Sequence, residues 1–269
     1  MLLGSRFGLS RYRAAMPFTP AHAMAVLPGV AWRRALHLDP TCLVIGSMAP
    51  DFEYFARGRL ADEVSHSWLG ILVWGVPVTL ALAAVFHRVV KWPALLAAPP
   101  ALTPVFAPPW HARWTAGAVA SAIVSAALGD VSHIVWDGFT HADGLIVPHV
   151  PALSRPYDLP IVGPTVLHQI LQHASTVVGL AAITAYLWWR IQRTPRIALD
   201  VPRRRARIVF AACLAAGIVA FETRQQLVHL TDLGNQIVGT ICGLLLGTLV
   251  ASAILYRAGR RYQARVLDA

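Results

Sequence analysis

The chain has 269 residues, 56% of them hydrophobic and 13% charged, with a formal net charge of +10. Soluble domains carry about 25% charged residues, so this balance argues against a soluble protein and for an integral membrane one. The arginines lie beside apolar runs rather than on a basic domain, so no nucleic-acid partner is expected. Cys42, Cys213 and Cys242 are too few and too widely spaced for a disulfide framework or a metal knuckle.

In chain order, residues 1–15 lack the apolar core of a cleaved leader and read as a disordered extension or a misplaced start, with Met16 as the alternative first residue. Residues 16–190 read as a helical membrane domain carrying a metal site. Its stretch 17–66 is too interrupted to cross a bilayer and is expected as a re-entrant or interfacial pair of helices. Spans are expected at 67–87, 115–137, 167–189, 207–223 and 235–256, each near the ~20 residues a crossing needs. Pro77 is tolerable inside the first. The run 93–109 holds six prolines and reads as a linker. Residues 191–206 read as a basic linker and 207–269 as a C-terminal two-helix membrane segment. The fold class expected is all-α, a multi-pass helical membrane bundle.

Loops 88–113 and 190–207 and the C-terminal tail are rich in Arg and Lys, whereas 138–166 and 224–234 carry one Arg each. The positive-inside rule then places the C-terminus in the cytoplasm. The stretch "GTICGLLLG" at 239–247 has small-xxx-small spacing, which suits close packing within the bundle or between copies in a homo-oligomer.

Histidines and acids gather at the other membrane face. In "GDVSHIVWDGFTH", residues 129–141, Asp130, His133, Asp137 and His141 recur every three or four residues and share one helical stripe. A carboxylate at mid-membrane costs about 2.5–3.5 kcal/mol, so such residues pair or mark a site. Imidazole and carboxylate are ligands for zinc, manganese and iron. His22, Asp51, His66, His133 and Asp137 are therefore expected to hold a divalent ion, with His141 joining if the helix continues through Gly138. Asp130 is expected to orient a ligand histidine, with His168 and His173 close behind the ligands.

The segments "MPFTPAHAMAVLP", "LVIGSMAPDFEYF", "SHSWLG", "GDVSHIVWDGFTH" and "LHQILQHASTVVGL" resemble the DUF4184 family of uncharacterised bacterial membrane proteins, over about residues 16–190 and more loosely beyond. The order His, Pro-Asp, His-Ser, Ser-His-x-x-x-Asp is also similar to predicted membrane-bound metal-dependent hydrolases (DUF457) and, remotely, to zinc-dependent phospholipase C and the S1/P1 nucleases. The resemblance implies a bacterial cytoplasmic membrane and metal ligation by the same five residues. The soluble enzymes also use an N-terminal amine, a Trp and a Glu. Only Glu53 or Glu222 stands in for the last.

The expected function is a metal-dependent hydrolase with one or two ions, zinc foremost, acting on a lipid or lipid-linked phosphodiester or ester at the outer face. Asp137 or Asp51 would bridge ions and Glu53 would serve as general base. Arg57 and Arg59 would receive phosphate or simply touch lipid headgroups. A cation or proton transporter and a non-catalytic scaffold held by a polar cluster stay open beside it.

Overall fold

The computed structural model describes residues 19–108, 115–160, 163–197 and 199–268. The extension 1–15, Met16, His111 and Arg113 lie outside the described residues.

Five helices are long and apolar enough to cross a membrane: Trp68–Ala97, Ala116–Thr140, Leu167–Arg193, Arg204–Leu227 and Leu233–Ile254. They are called here the first to fifth spans, and they make the chain a helical membrane protein. A short antiparallel hairpin, Pro156–Leu159 against Gly163–Val166, leads into the third span.

The proline-rich run does not begin as a linker. The first span stays helical through Pro93 to Ala97, followed by short helical turns at Pro100–Leu102 and Thr103–Phe106. A proline inside a helix clashes with the carbonyl four residues earlier. Wider π turns at Ile71–Gly75 and Phe86–Val90 precede Pro77 and Pro93 and reset the ladder before each ring. Packing then holds the extension: Trp92, Leu95 and Leu96 share a buried cluster with Tyr262 and Val266.

The C-terminal helix Tyr256–Leu267 seals this basic end. Arg203 donates from Nη1 to the carbonyls of Leu95, Leu96 and Ala98 and from Nη2 to the Tyr262 hydroxyl, at 2.6–3.2 Å. A cation thus satisfies the open carbonyls at a helix C-terminus.

The N-terminal segment is a helical hairpin packed along the second span. One arm, Ala23–Ala31, descends from His22; the other, Pro40–Gly46, climbs back to Asp51. At its tip the His37 carbonyl accepts from Ser121 Oγ at 2.6 Å, and Thr41 Oγ1 lies 2.9 Å from His87 Nε2. Ser121 lies near the start of the second span and His87 about two-thirds of the way along the first, so the tip reaches toward the basic end. Arg33 and Arg34 occur there, which explains two arginines in an otherwise apolar helix.

The climbing arm presses on the second span through glycines. A Cβ on Gly46 would lie 2.5 Å from the Ala126 carbonyl oxygen, and one on Gly129 would lie 2.4 Å from that of Leu43 and 2.6 Å from Ser47 N. Small-residue spacing also joins the fourth and fifth spans: Gly243 meets Gly217 and Gly247 meets Cys213, backbone to backbone.

Candidate metal centre

Each arm of the hairpin delivers one polar side chain to the second span. His22 ends a 3₁₀ turn, Thr19–His22, at the top of the descending arm. Asp51 precedes the helix Phe52–Arg57, yet its side chain does not cap that helix. Instead it turns inward, 1% exposed, toward the fully buried His133. His133 and Asp137 stand one turn apart on the second span, and His66 comes from the loop that leads into the first.

These five residues converge. His133 Nε2 lies 3.1 Å from Asp137 Oδ2 and 3.6 Å from Asp51 Oδ1. His66 Nε2 lies 3.5 Å from Asp51 Oδ1 and 3.8 Å from Asp137 Oδ2, and His22 Nε2 lies 3.6 Å from Asp137 Oδ1. The His22 and His133 rings stack at 3.9 Å between centroids. Two overlapping triads can each hold a metal: His22, His133 and Asp137, and Asp51, His66 and His133.

Hydrogen bonds fix which nitrogens face inward. His133 Nδ1 lies 2.9 Å from the Ser47 carbonyl oxygen, which can only accept, so Nδ1 carries the proton. His66 Nδ1 lies 3.0 Å from Asp62 Oδ2 in the same way. Both Nε2 atoms therefore face carboxylate oxygens, an arrangement that a proton or a metal ion on the nitrogen makes attractive. Burial opposes a charge on His66, but hydrogen bonds to Asp51 and Asp62 outweigh it and lift its pKa to about 10. The hydrogen bond from His66 holds Asp62 below the usual carboxylate range. The pocket draws positive charge.

The fit to a metal ion can be tested from the donors. Buried His22 Nδ1 and Nε2, Asp51 Oδ1 and Oδ2, His133 Nε2 and Asp137 Oδ1 have no hydrogen-bond partner among the described residues. Ligand atoms about 2.0–2.2 Å from a tetrahedral ion lie about 3.3–3.6 Å apart, and the imidazole–carboxylate pairs in contact here lie 3.1–3.8 Å apart. The donors are nitrogen and oxygen with no sulfur, a set suited to zinc, manganese or iron. Both triads need the same His133 Nε2, because Nδ1 is committed to Ser47. One ion with two carboxylates is also charge-neutral. The set fits a single divalent ion better than two.

Other sequence expectations land elsewhere. The second span does continue through Gly138 to Thr140, and His141 caps it with Nδ1 3.6 Å from Asp137 Oδ1, at the rim of the triad that includes Asp137. Asp130 is fully buried on the same stripe, but its oxygens have no hydrogen-bond partner among the described residues, and Ser47 orients His133 in its place. His168 Nδ1 pairs with the Leu153 carbonyl 3.1 Å away, and His173 is exposed, so neither backs a ligand. Glu222 accepts from Thr240 Oγ1 at 2.7 Å within the fourth and fifth spans. Asp62 was overlooked, although it precedes His66 by four residues.

Glu53, expected as a general base, is engaged on both oxygens. Oε1 accepts from Arg57 Nε and Nη2 and from Glu63 N, and Oε2 accepts from Val64 N and Ser65 N, at 2.7–3.2 Å. It clamps the loop that carries His66. Arg57 also bonds Glu63 at 2.9 Å, while Arg59 is exposed. The same loop is docked on the C-terminal pair: Arg224 Nη1 donates to the Gly58 carbonyl and Asn235 Oδ1 accepts from Leu60 N, both at 2.7 Å.

Burial opposes charge on Glu53, but the backbone of Ser65 and the Arg57 guanidinium prevail and push its pKa down to about 2 from 4.5. A depressed folded-state pKa adds stability above the unfolded value, and this is lost as pH falls from about 4.5 toward 2. Glu53→Gln should cost about 2–3 kcal/mol at pH 6, because buried donors lose a charged acceptor. The gap to wild type should shrink as pH falls below 4.5. Thermal unfolding in detergent between pH 6 and 3 reads both effects.

The "Domain of unknown function (DUF4184)" family model matches residues 16–253. No curated protein and no solved structure matches the chain. The match spans the hairpin, all five converging His and Asp residues and most of the fifth span, so the chain belongs to the DUF4184 family.

Proposed function

We propose that the protein holds one divalent ion, zinc foremost, between His22, His66, His133, Asp51 and Asp137, and that it hydrolyses an ester or phosphodiester at the membrane surface. The observation that carries this reading is the cluster of buried imidazole and carboxylate atoms without hydrogen-bond partners among the described residues, set in two triads that share His133. Unpaired ionisable groups inside a membrane bundle are costly and functional by default.

A bound ion would lower the pKa of its water and polarise a phosphoryl or acyl oxygen. The chain supplies the rest. Ser47 and Asp62 hold the His133 and His66 rings in the ligating tautomer. The hairpin arms exclude water from the His22, Asp51 and His133 side, where exposure is 3% or less. The cluster opens instead where His66, Asp137 and His141 side chains are 20%, 13% and 26% exposed. His141 at that mouth would accept the proton, since both Glu53 oxygens are engaged. Exposed Arg59, on the chain segment that leads to His66, would meet an anionic group. The arginine-rich ends lie opposite this mouth, which by the positive-inside rule would face it outward.

One observation favours a second reading, a cation or proton path: buried Asp130 lies a turn below His133 with no hydrogen-bond partner among the described residues.

The test is metal-loaded protein in detergent with bis(p-nitrophenyl) phosphate and p-nitrophenyl butyrate. Turnover lost both on chelation and in Asp137→Asn is expected. A stoichiometric ion with no turnover above that variant would overturn the hydrolase reading. In that case, proton uptake into vesicles that is lost in Asp130→Asn would support the path.

A further inference from the structure

Beside the metal cluster, a groove of about 550 Å³ lies between the descending arm, the second span and the third span. Binding pockets typically enclose about 300–1,000 Å³. Its walls include Met24, Val135, Trp136, Phe139, Leu171 and Val178.

The hydroxyls along it are turned away. Ser132 Oγ donates to the Gly129 carbonyl at 2.6 Å, Ser175 Oγ to that of Gln172 at 2.8 Å and Thr140 Oγ1 to that of Trp136 at 3.4 Å. Ser132 and Ser175 are spent on their own helices, and Thr140 is shared between its helix and His141. A polar occupant would find few partners, whereas a hydrocarbon one loses nothing.

Length and depth narrow the occupant. On the second span the groove runs from Thr140 to Ser132, roughly 12 Å at 1.5 Å per residue, starting at the helix end that bears the cluster. That is close to one leaflet, half of a ~30 Å hydrocarbon core. A partner's transmembrane helix needs the whole thickness and would find a seat for only half of it. An acyl chain of one leaflet fits.

Groove and cluster occupy neighbouring faces of the second span and meet at its end. Thr140 Oγ1 lies 3.2 Å from His141 Nδ1, itself 3.6 Å from Asp137 Oδ1. We infer that the groove is an acyl-chain subsite. It seats one chain of a phospholipid from the leaflet on the cluster side and so brings the lipid's ester or phosphodiester linkage to the mouth at His141 and Asp137. The substrate class, a long-chain phospholipid, rests on the hydrolase reading above; the lipid seat does not.

The test uses the full chain in vesicles of phosphatidylethanolamine and phosphatidylglycerol, three to one, doped with a phosphatidylcholine carrying a diazirine at the acyl terminus. After irradiation, peptides covering 132–140 and 171–178 should be labelled several-fold above those around Val219 and Leu246, which are exposed on other spans. Ala174→Trp and, separately, Leu171→Trp should remove at least four-fifths of that excess and leave bound metal per chain unchanged, which also reports that the variants fold. Even labelling of all lipid-facing helices, unmoved by either variant, would overturn the subsite. So would protection of the groove by a cross-linked second copy. Absence of bound metal with groove labelling intact would instead strike the hydrolase reading.

Discussion

Replacing His133 and Asp137 together with alanine should abolish divalent-ion binding. Asp137 borders both remaining imidazoles, and His133 Nε2 is the nitrogen that both triads share. Zinc or cobalt titration of detergent-purified protein would read the loss. Asp62→Asn removes the carboxylate behind His66 while leaving every ligand, so it should weaken affinity about 10–100-fold. The Asp62 replacement separates the account from a simple polar scaffold. A scaffold keeps no graded relation between Asp62 and ion affinity. The double variant would be checked for fold by circular dichroism, since it also removes a buried carboxylate that costs energy to bury.

Gly129→Leu should be the most damaging single change outside the ligands. Leucine favours helix, so the second span would still form. The new Cβ, however, would stand 2.4 Å from the Leu43 carbonyl oxygen and 2.6 Å from Ser47 N, both backbone atoms of the climbing arm. Overpacking of this kind costs about 1–3 kcal/mol, and a rigid backbone neighbour places it at the upper end. The arm would have to retreat, taking with it the Ser47 carbonyl that fixes His133 and, four residues on, Asp51 itself. Unfolding temperature and metal affinity should therefore fall together. A variant with full metal affinity and a lowered melting temperature would separate packing from site geometry, contrary to the account.

The candidate ligands are legible because they break the rule of their surroundings. Charge and imidazole on one stripe of an apolar helix are conspicuous, and the four-residue spacing of His133 and Asp137 states the geometry outright. His22, Asp51 and His66 were legible only jointly, as polar residues at the same end of an otherwise apolar chain. The supports were harder to see. A carbonyl such as that of Ser47 belongs to every residue and leaves no trace in sequence. Asp62 could have been found from its spacing to His66, but the loop around it has no periodicity to draw the eye. Asp130 shares the ligand stripe and misled for that reason: its side chain meets Gly75 of the first span instead, where a Cβ would overlap Oδ2.

The same contrast runs through the fold. Five apolar stretches announced five spans. The reach of the hairpin depended on contacts far apart in the chain, such as Ser121 with His37. Pro93 read as a helix end because the π turn that relieves it has no residue signature. Glu53 read as catalytic from its closeness to Asp51 in sequence. On a helical turn that spacing points elsewhere, and the structure uses it to anchor the loop at Val64 and Ser65.

The most direct test of the central claim is elemental analysis by inductively coupled plasma mass spectrometry of wild-type protein purified without chelators, before and after zinc titration. One zinc, manganese or iron atom per chain is the predicted result. No bound ion, and none taken up on titration, would contradict the metal centre; two ions per chain would contradict the sharing of His133 Nε2 on which the single-ion site rests.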